Sequence, residues 1–282
     1  MIKLGLIGYP VSHSLSPKIQ NAALKACGLE GDYSLFPIAP DDMQGLKDLL
    51  DRVRAGEITG LNVTIPHKQN VFELVDELTP TARAIGAVNT IYLRENKLIG
   101  DNTDAPGFLS DLKKFLTLER DRELVPAQKK ALVLGAGGSA RAVVYALLND
   151  DWDVTLSTRR IEQAEQLSNS FNHRALRITD NLSNIELSNI ILLANTTPLG
   201  MTPNTDQSPW PKNLPFPKAV IYDLVYNPRE TKLVRDARAQ GLNATTGLGM
   251  LIEQAALGFE LWTGHKPPRN ILFEAVGVPR PD

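Results

Sequence analysis

Short apolar runs and longer amphipathic stretches alternate along the whole chain. In the first third, the apolar runs predict β-strands at residues 3–8, 33–38, 61–65 and 87–93. The stretches between them predict helices at 17–27, 41–55 and 69–77, and a further helix that follows residue 104 and continues to about 115. This alternation predicts α/β layers with largely parallel sheets.

The same alternation starts again at residue 131. The charged, weakly patterned segment before it, at 117–130, is interpreted as a surface connection. Strands are predicted at 131–134, 153–157, 189–195 and 219–224, and helices at 139–148 and 231–240. Residues 202–217 contain five prolines and are predicted to be mostly loop. A chain of 282 residues is long enough for two domains of ordinary size.

Composition excludes several classes of function. The chain carries 30 basic and 32 acidic residues, so its net charge of −2 gives no general attraction to nucleic acid or to anionic lipid. No apolar run approaches the ~20 residues of a membrane span. Cys27 is the single cysteine, so neither a disulfide framework nor a cysteine metal cage is expected. We expect a cytoplasmic protein that binds no nucleic acid, membrane or metal.

A glycine-rich turn joins the strand at 131–134 to the helix after it. The residues of this turn are Gly135, Ala136, Gly137, Gly138, Ser139 and Ala140. Glycines permit a tight turn and a close approach of the backbone to a pyrophosphate, whose charge is favoured at the free N–H groups of a helix N-terminus. The small side chain at the last position permits close packing of helix on strand. The pattern predicts a dinucleotide-binding site.

The type of dinucleotide is indicated by the end of the next strand. NAD-binding units commonly carry an acidic residue there for the ribose hydroxyls. This chain has Thr158, Arg159 and Arg160 instead. A planar guanidinium suits the oxygens of a 2′-phosphate, which favours NADP. The alternative interpretation is that the two arginines are solvated surface charges.

Polar clusters in the first third are candidates for the chemistry. Lys68 closes the cluster at 62–68 and Asp104 closes the cluster at 100–104, each after a predicted strand. A lysine beside a carboxylate can move the proton when a carbonyl and an alcohol interconvert, although either residue alone could be a surface ion. Ser14 and Ser16 precede a predicted helix, where a carboxylate is favoured. Ser16 could also cap that helix.

Together these stretches resemble the shikimate dehydrogenase family. The matching motifs, in chain order, are SLSP at 14–17, NVTIPHK at 62–68, GAVNT at 86–90, GDNTD at 100–104, GAGGSA at 135–140, NTTPLGM at 195–201, YDLVYNP at 222–228 and TGLGMLIEQA at 246–255. The resemblance implies two α/β domains. Residues 1–108 and 248–282 would form a substrate-binding catalytic domain to which the C-terminal helices return, and 109–247 a Rossmann-like NADP-binding domain.

The resemblance also implies a role for each matching residue. Lys68 and Asp104 would be the catalytic pair. The residues implied to bind substrate are Ser14 and Ser16 at its carboxylate, Thr64, Asn89 and Gln254 at its ring hydroxyls, and Tyr226 in the same pocket. Those implied to bind the cofactor are the glycine turn 135–140, Thr158, Arg159, Arg160, Thr196, Leu224 and Gly247. The family's second phosphate-binding arginine is replaced by Gln163, and His67 is given no role.

The implied activity is the NADP(H)-dependent interconversion of 3-dehydroshikimate and shikimate. No metal is needed, and the protein would be a monomer or homodimer. A dehydrogenase acting on quinate or on both substrates, a methylene-tetrahydrofolate dehydrogenase and a non-catalytic NADP-binding regulator are the alternatives. The serine pair favours shikimate over quinate, and the Ser14 and Gln254 segments fit a folate enzyme poorly.

Overall fold

The computed structural model describes residues 1–118 and 129–278, so most of the predicted connection at 117–130 lies outside the described residues. The described chain divides into two compact units. Unit 1 comprises Met1–Gly107 and the described residues from Ile252 on, and unit 2 comprises the described residues of Phe108–Leu251. In the described part of the chain, no helix has the length and apolar character needed to cross a membrane.

Strands and helices are numbered in chain order. The strands are β1 (Ile2–Gly8), β2 (Gly31–Pro37), β3 (Gly60–Val63), β4 (Glu77–Leu78), β5 (Thr90–Arg94), β6 (Lys97–Asp101), β7 (Lys130–Leu134), β8 (Asp153–Ser157), β9 (Leu176–Thr179), β10 (Leu192–Asn195), β11 (Val220–Asp223) and β12 (Ala244–Thr246). The helices are α1 (Ser16–Ala26), α2 (Met43–Arg54), α3 (Pro80–Ile85), α4 (Asp104–Leu118), α5 (Gly138–Leu148), α6 (Ile161–Phe171), α7 (Lys232–Ala239), α8 (Leu248–Thr263) and α9 (Arg269–Ala275).

Unit 1 is built on a mixed sheet with the strand order β2-β1-β3-β5-β6-β4. β1 pairs in parallel with β2 and β3, but β5 is antiparallel to both of its neighbours. β5 is thus the antiparallel exception in a sheet whose other strand pairs are parallel, as the alternation predicts. Helix α2 packs on this sheet through Leu46, Leu49, Leu50 and Val53, which recur at helical spacing and join one hydrophobic core cluster with β3, β5 and β6.

The helix predicted at 69–77 does not form. That segment contains a single 3₁₀ turn, Val71–Glu73, and then β4. The N–H group of Asp76 donates to the carbonyl of Leu98, and β4 pairs in parallel with β6, so the end of this segment joins the sheet instead of a helix. The strand predicted at 87–93 likewise begins only at residue 90.

Unit 2 contains a parallel sheet with the strand order β12-β11-β10-β7-β8-β9. Counted from β7, this is the order of a Rossmann fold, 3-2-1-4-5-6. The strand order reverses between β7 and β10, and ligands of open α/β sheets bind beyond the carboxyl ends of the strands at such a point. The turn at Gly135 follows β7, and Thr196 follows β10. Residues 202–217 contain no helix or strand, as their prolines predict.

Candidate active site

Lys68 and Asp104 form an ion pair inside unit 1. Lys68 lies in the turns that follow β3, and Asp104 is the first residue of α4. The Lys68 Nζ atom is 2.5 Å from Asp104 Oδ2, and the two residues are only 8% and 5% exposed. Removing two charges from water is costly unless they pair with each other. Each residue is therefore held by its partner, which contradicts the interpretation of either as a solvated surface ion.

The side chain of Asn102 fixes the start of α4. Its Oδ1 atom accepts hydrogen bonds from the backbone N–H groups of Asp104, at 3.1 Å, and Ala105, at 3.3 Å. Its Nδ2 atom donates to the carbonyl of Ala87. A capped helix N-terminus also favours a carboxylate in the first turn. The sequence therefore places Asp104 where local structure stabilises its charge.

Asn89 sets the direction of the Asp104 carboxylate. Its Nδ2 atom donates to Asp104 Oδ1 at 2.8 Å and to Gln254 Oε1 at 3.4 Å. Its Oδ1 atom accepts from the backbone N–H of Thr103 at 2.7 Å and from the hydroxyl of Thr90 at 2.9 Å. Because donors occupy the amide oxygen, the amide nitrogen must face the carboxylate. Segments distant in sequence thus meet in one buried polar network.

His67 holds the turn that carries Lys68. Its imidazole is fully buried, and Nε2 lies 2.8 Å from the carbonyl oxygen of Ile38, to which it donates. The Asn70 amide donates to Nδ1 at 3.3 Å. Sequence patterns assigned no role to this histidine, and the structure assigns it one in local packing. The roles of Asn102 and Thr90 were missed as well, although both lie inside motifs that the sequence analysis singled out.

Ser14, Ser16 and Thr64 lie at one edge of the same sheet, beyond the carboxyl ends of the parallel strands β1 and β3. The prediction that Ser16 caps α1 is wrong. The N-cap position is Leu15, which provides no side-chain hydrogen bond, and Ser16 is the first helical residue. The Ser14 Oγ atom accepts from the backbone N–H of Ser16 at 3.2 Å. Ser16 is buried and Ser14 is half-buried.

In unit 2, the glycine turn fits a phosphate group. Gly135 has φ +104°, and a Cβ atom there would lie 2.8 Å from Thr196 Oγ1, which itself donates to the carbonyl of Leu134. A Cβ atom on Gly137 would meet nothing within 4 Å, so this side of the turn is open. Gly137 is also the N-cap of α5 and provides no side-chain cap, and a helix N-terminus of this kind favours an anion. Ala140 is fully buried, as close packing requires.

Arg159 and Arg160 follow β8, and both side chains are exposed. Half-buried Thr158 accepts a hydrogen bond at 3.4 Å from the backbone N–H of Arg160.

The backbone at Gly247 passes close to that at Leu224 in the same unit. A Cβ atom on Gly247 would lie 2.3 Å from the carbonyl oxygen of Leu224. Only glycine permits this contact. Tyr226 also lies in unit 2, whereas the other predicted substrate-binding residues lie in unit 1.

A buried carboxyl group that the sequence did not reveal lies at the ends of β10 and β11. Asp223 Oδ1 accepts from the Asn195 amide at 2.8 Å, and Oδ2 accepts from the Thr231 hydroxyl at 2.6 Å. Burial raises the pKa of Asp223 to about 6, against the opposing effect of these hydrogen bonds. The sequence signal for this site was that two apolar strands, β10 and β11, each end in a polar residue, Asn195 and Asp223.

Three family models match the chain. They describe the shikimate dehydrogenase substrate binding domain at residues 6–91, shikimate / quinate 5-dehydrogenase at 120–238 and the shikimate 5′-dehydrogenase C-terminal domain at 247–275. A protein of Methanopyrus kandleri named shikimate dehydrogenase (NADP(+)) is 40% identical over 97% of this chain and 94% of its own length. The chain belongs to the shikimate dehydrogenase family.

Solved structures agree with membership of the shikimate dehydrogenase family. Shikimate 5-dehydrogenase of Thermus thermophilus, in complex with NADP(H) and shikimate, has a TM-score of 0.85 and 39% identity and covers 98% of each chain. The ligand-free form of 5-ketofructose reductase of Gluconobacter sp. strain CHM43 has a TM-score of 0.80 and 30% identity, with 98% of this chain and 97% of that one covered. Proteins of this fold therefore carry more than one named activity.

Proposed function

We propose that this chain is an NADP-dependent shikimate dehydrogenase, an oxidoreductase that reversibly reduces 3-dehydroshikimate to shikimate in aromatic amino acid (chorismate) biosynthesis. The observation that carries the proposal is the buried Lys68–Asp104 pair, with Asn89 and Gln254 beside it, in a member of this family. The names of the Methanopyrus kandleri relative and of the Thermus thermophilus complex support it.

We assign all substrate-binding residues except Tyr226 to unit 1, and the cofactor to unit 2. In unit 1, Ser14 and Ser16 would bind the substrate carboxylate, and Thr64, Asn89 and Gln254 its ring hydroxyls. Tyr226 is the remaining residue that we assign to substrate binding. This assignment makes unit 1 the substrate-binding catalytic domain and unit 2 the NADP-binding domain.

The residues of unit 2 fit NADP. The open side of the turn at Gly137 and the glycine-capped start of α5 suit the pyrophosphate. Exposed Arg159 and Arg160 suit the 2′-phosphate. Thr196 and the backbone at Leu224 and Gly247 would line the remainder of the site. When bound, NADPH supplies a hydride from C4 of its nicotinamide, which is chemistry that no side chain provides.

Lys68 and Asp104 would control the proton in this reaction. As the carbonyl carbon of 3-dehydroshikimate gains a hydride, its oxygen becomes an alkoxide. Lys68 would give this oxygen a proton from Nζ, which completes the alcohol. Asp104 would keep the ammonium group in place through Oδ2 and accept a hydrogen bond from a substrate hydroxyl. In the reverse direction, Lys68 would accept the hydroxyl proton.

The experiment measures NADP⁺ reduction by the purified protein with shikimate and with quinate, offered separately. NADPH oxidation with 5-ketofructose is measured in parallel. We expect shikimate to give the highest kcat/KM, and the Lys68→Ala variant to serve as the inactive control. The highest kcat/KM with quinate would favour the quinate dehydrogenase alternative. NADPH binding without turnover of any substrate would favour the regulator.

We also propose a monomer or homodimer that works in the cytoplasm. Size-exclusion chromatography with light scattering measures the oligomeric state, and a mass above that of two chains would contradict this proposal. A chain mass of 31.0 kDa makes the two expected species easy to separate.

A further inference from the structure

Gln20 joins two helices that carry proposed substrate-binding residues. It lies on α1, one turn after Ser16, and its side chain is fully buried. Its Nε2 atom donates to the backbone carbonyl of Ala255 on α8 at 3.0 Å. Ala255 follows Gln254 directly. One amide therefore connects the helix that begins at Ser16 with the turn of α8 that presents Gln254.

The oxygen atom of the Gln20 amide has an unusual environment. Gln20 Oε1 is buried, and no donor among the described residues reaches it. A buried acceptor without a partner destabilises the folded protein, whereas an apolar side chain of similar size would avoid that cost. The stability of the α1–α8 contact therefore does not explain a glutamine at this position. The hydrogen bond to Ala255 is the property that an apolar residue would lack.

The hydrogen bond from Gln20 to Ala255 affects the polar network around Asp104. Gln254 Oε1 accepts from Asn89, and Asn89 in turn directs the Asp104 carboxylate. Because Ala255 and Gln254 are consecutive in one helix, a shift of the Ala255 carbonyl moves Gln254 as well. The bond from Gln20 thus defines where the Gln254 amide lies relative to the first turn of α1.

We propose that Gln20 is a positioning residue for substrate recognition. It sets the spacing between the end of the site that binds the carboxylate, at Ser14 and Ser16, and the end that binds a ring hydroxyl, at Gln254. This inference rests on the proposed function. Gln20 has no contact with substrate in this scheme and acts only through the turn of α8.

The first test is Gln20→Met, which keeps the volume and removes both polar atoms. Loss of one hydrogen bond should raise KM for shikimate about 5-fold, with kcat changed by less than about 2-fold. The melting temperature should stay the same or rise, because the unpaired acceptor is removed as well. Ile19→Val is the matched control on α1, since Ile19 is also fully buried. It should lower the melting temperature and leave KM unchanged.

A double-mutant cycle identifies the route of the effect. Gln20→Met should no longer change KM in a Gln254→Ala background, because the group that Gln20 positions is gone. An equal rise of KM in both backgrounds, or a lower melting temperature with unchanged kinetics, would overturn the inference. Failure of the unmutated protein to bind or oxidise shikimate would instead refute the proposed function, and it is seen before any variant is made.

Discussion

Asn89 donates to one oxygen of Asp104 at 2.8 Å and leaves the other oxygen to Lys68. The carboxylate is thus shared between an amide that fixes its direction and an ammonium group that balances its charge. All three side chains are buried, where electrostatic interactions are stronger than in water. A substrate bound here would meet groups whose orientation is already determined.

Replacement of Lys68 by alanine should remove the proton donor. We expect kcat to fall by roughly 10²–10⁴-fold with little change in KM for shikimate, the usual size of general acid–base assistance. Lys97→Ala is the control, because Lys97 is exposed and pairs with Glu77 at the surface of the same unit. Steady-state assays of both variants check the prediction, and near-normal turnover without Lys68 would exclude it from the chemistry.

Asn89→Asp keeps the shape of the side chain and places a second carboxylate against Asp104. Like charges at this distance cannot both stay ionised, so the pair should retain a proton to higher pH. We expect the acidic limb of the pH profile of kcat/KM to move to higher pH, and activity at pH 7 to fall roughly 10-fold or more. An unshifted limb would show that the side chain at position 89 does not lie close enough to Asp104 to affect its ionisation.

Two alanine substitutions in the glycine turn should have different effects. At Gly137 a methyl group meets no protein atom, so Gly137→Ala should fold normally and raise KM for NADPH by occupying the open side. Gly135→Ala should also lower the melting temperature, because it combines φ +104° with a contact of 2.8 Å to Thr196. Normal NADPH binding by a stable Gly137→Ala protein would contradict the proposed phosphate position.

Arg159→Ala should weaken recognition of the 2′-phosphate. We expect KM for NADPH to rise and KM for NADH to stay constant, so the preference for NADPH over NADH becomes smaller. Arg174→Ala, also an exposed arginine of unit 2, is the matched control. Equal KM values for NADPH in the Arg159→Ala and Arg174→Ala variants would show that Arg159 is a solvated surface charge.

Asp223 should make stability depend on pH. Its pKa rises from an ordinary value of 3.8 to about 6 in the folded protein. Its contribution to the free energy of unfolding is therefore complete below pH 3.8 and is lost as the pH rises through about 6, by roughly 2–3 kcal/mol. Asp223→Asn removes this titration, so its melting temperature relative to the unmutated protein should increase between pH 4 and pH 7. A constant difference would contradict the assignment.

Local patterns were sufficient for most elements. The apolar runs that became β1, β7 and β8 and the amphipathic stretch that became α2 were predicted within about two residues, because the strands are short apolar runs buried along most of their length and α2 buries one face at helical spacing. The helix predicted at 69–77 failed for a tertiary reason, since β6 supplies acceptors to that segment. Short elements such as β12 and α3 carry too few residues to show a period.

The sequence by itself determined the two α/β units, the glycine turn and the family, because these depend on residue types in fixed local order. Tertiary structure decided what each polar group touches. Asn89, Asp104 and Gln254 meet only after a sheet, a helix start and a C-terminal helix have assembled. Gln20 became informative only when its partner on α8 was known. Hydrogen bonds between residues distant in sequence require a defined position for both partners, and only the folded chain supplies it.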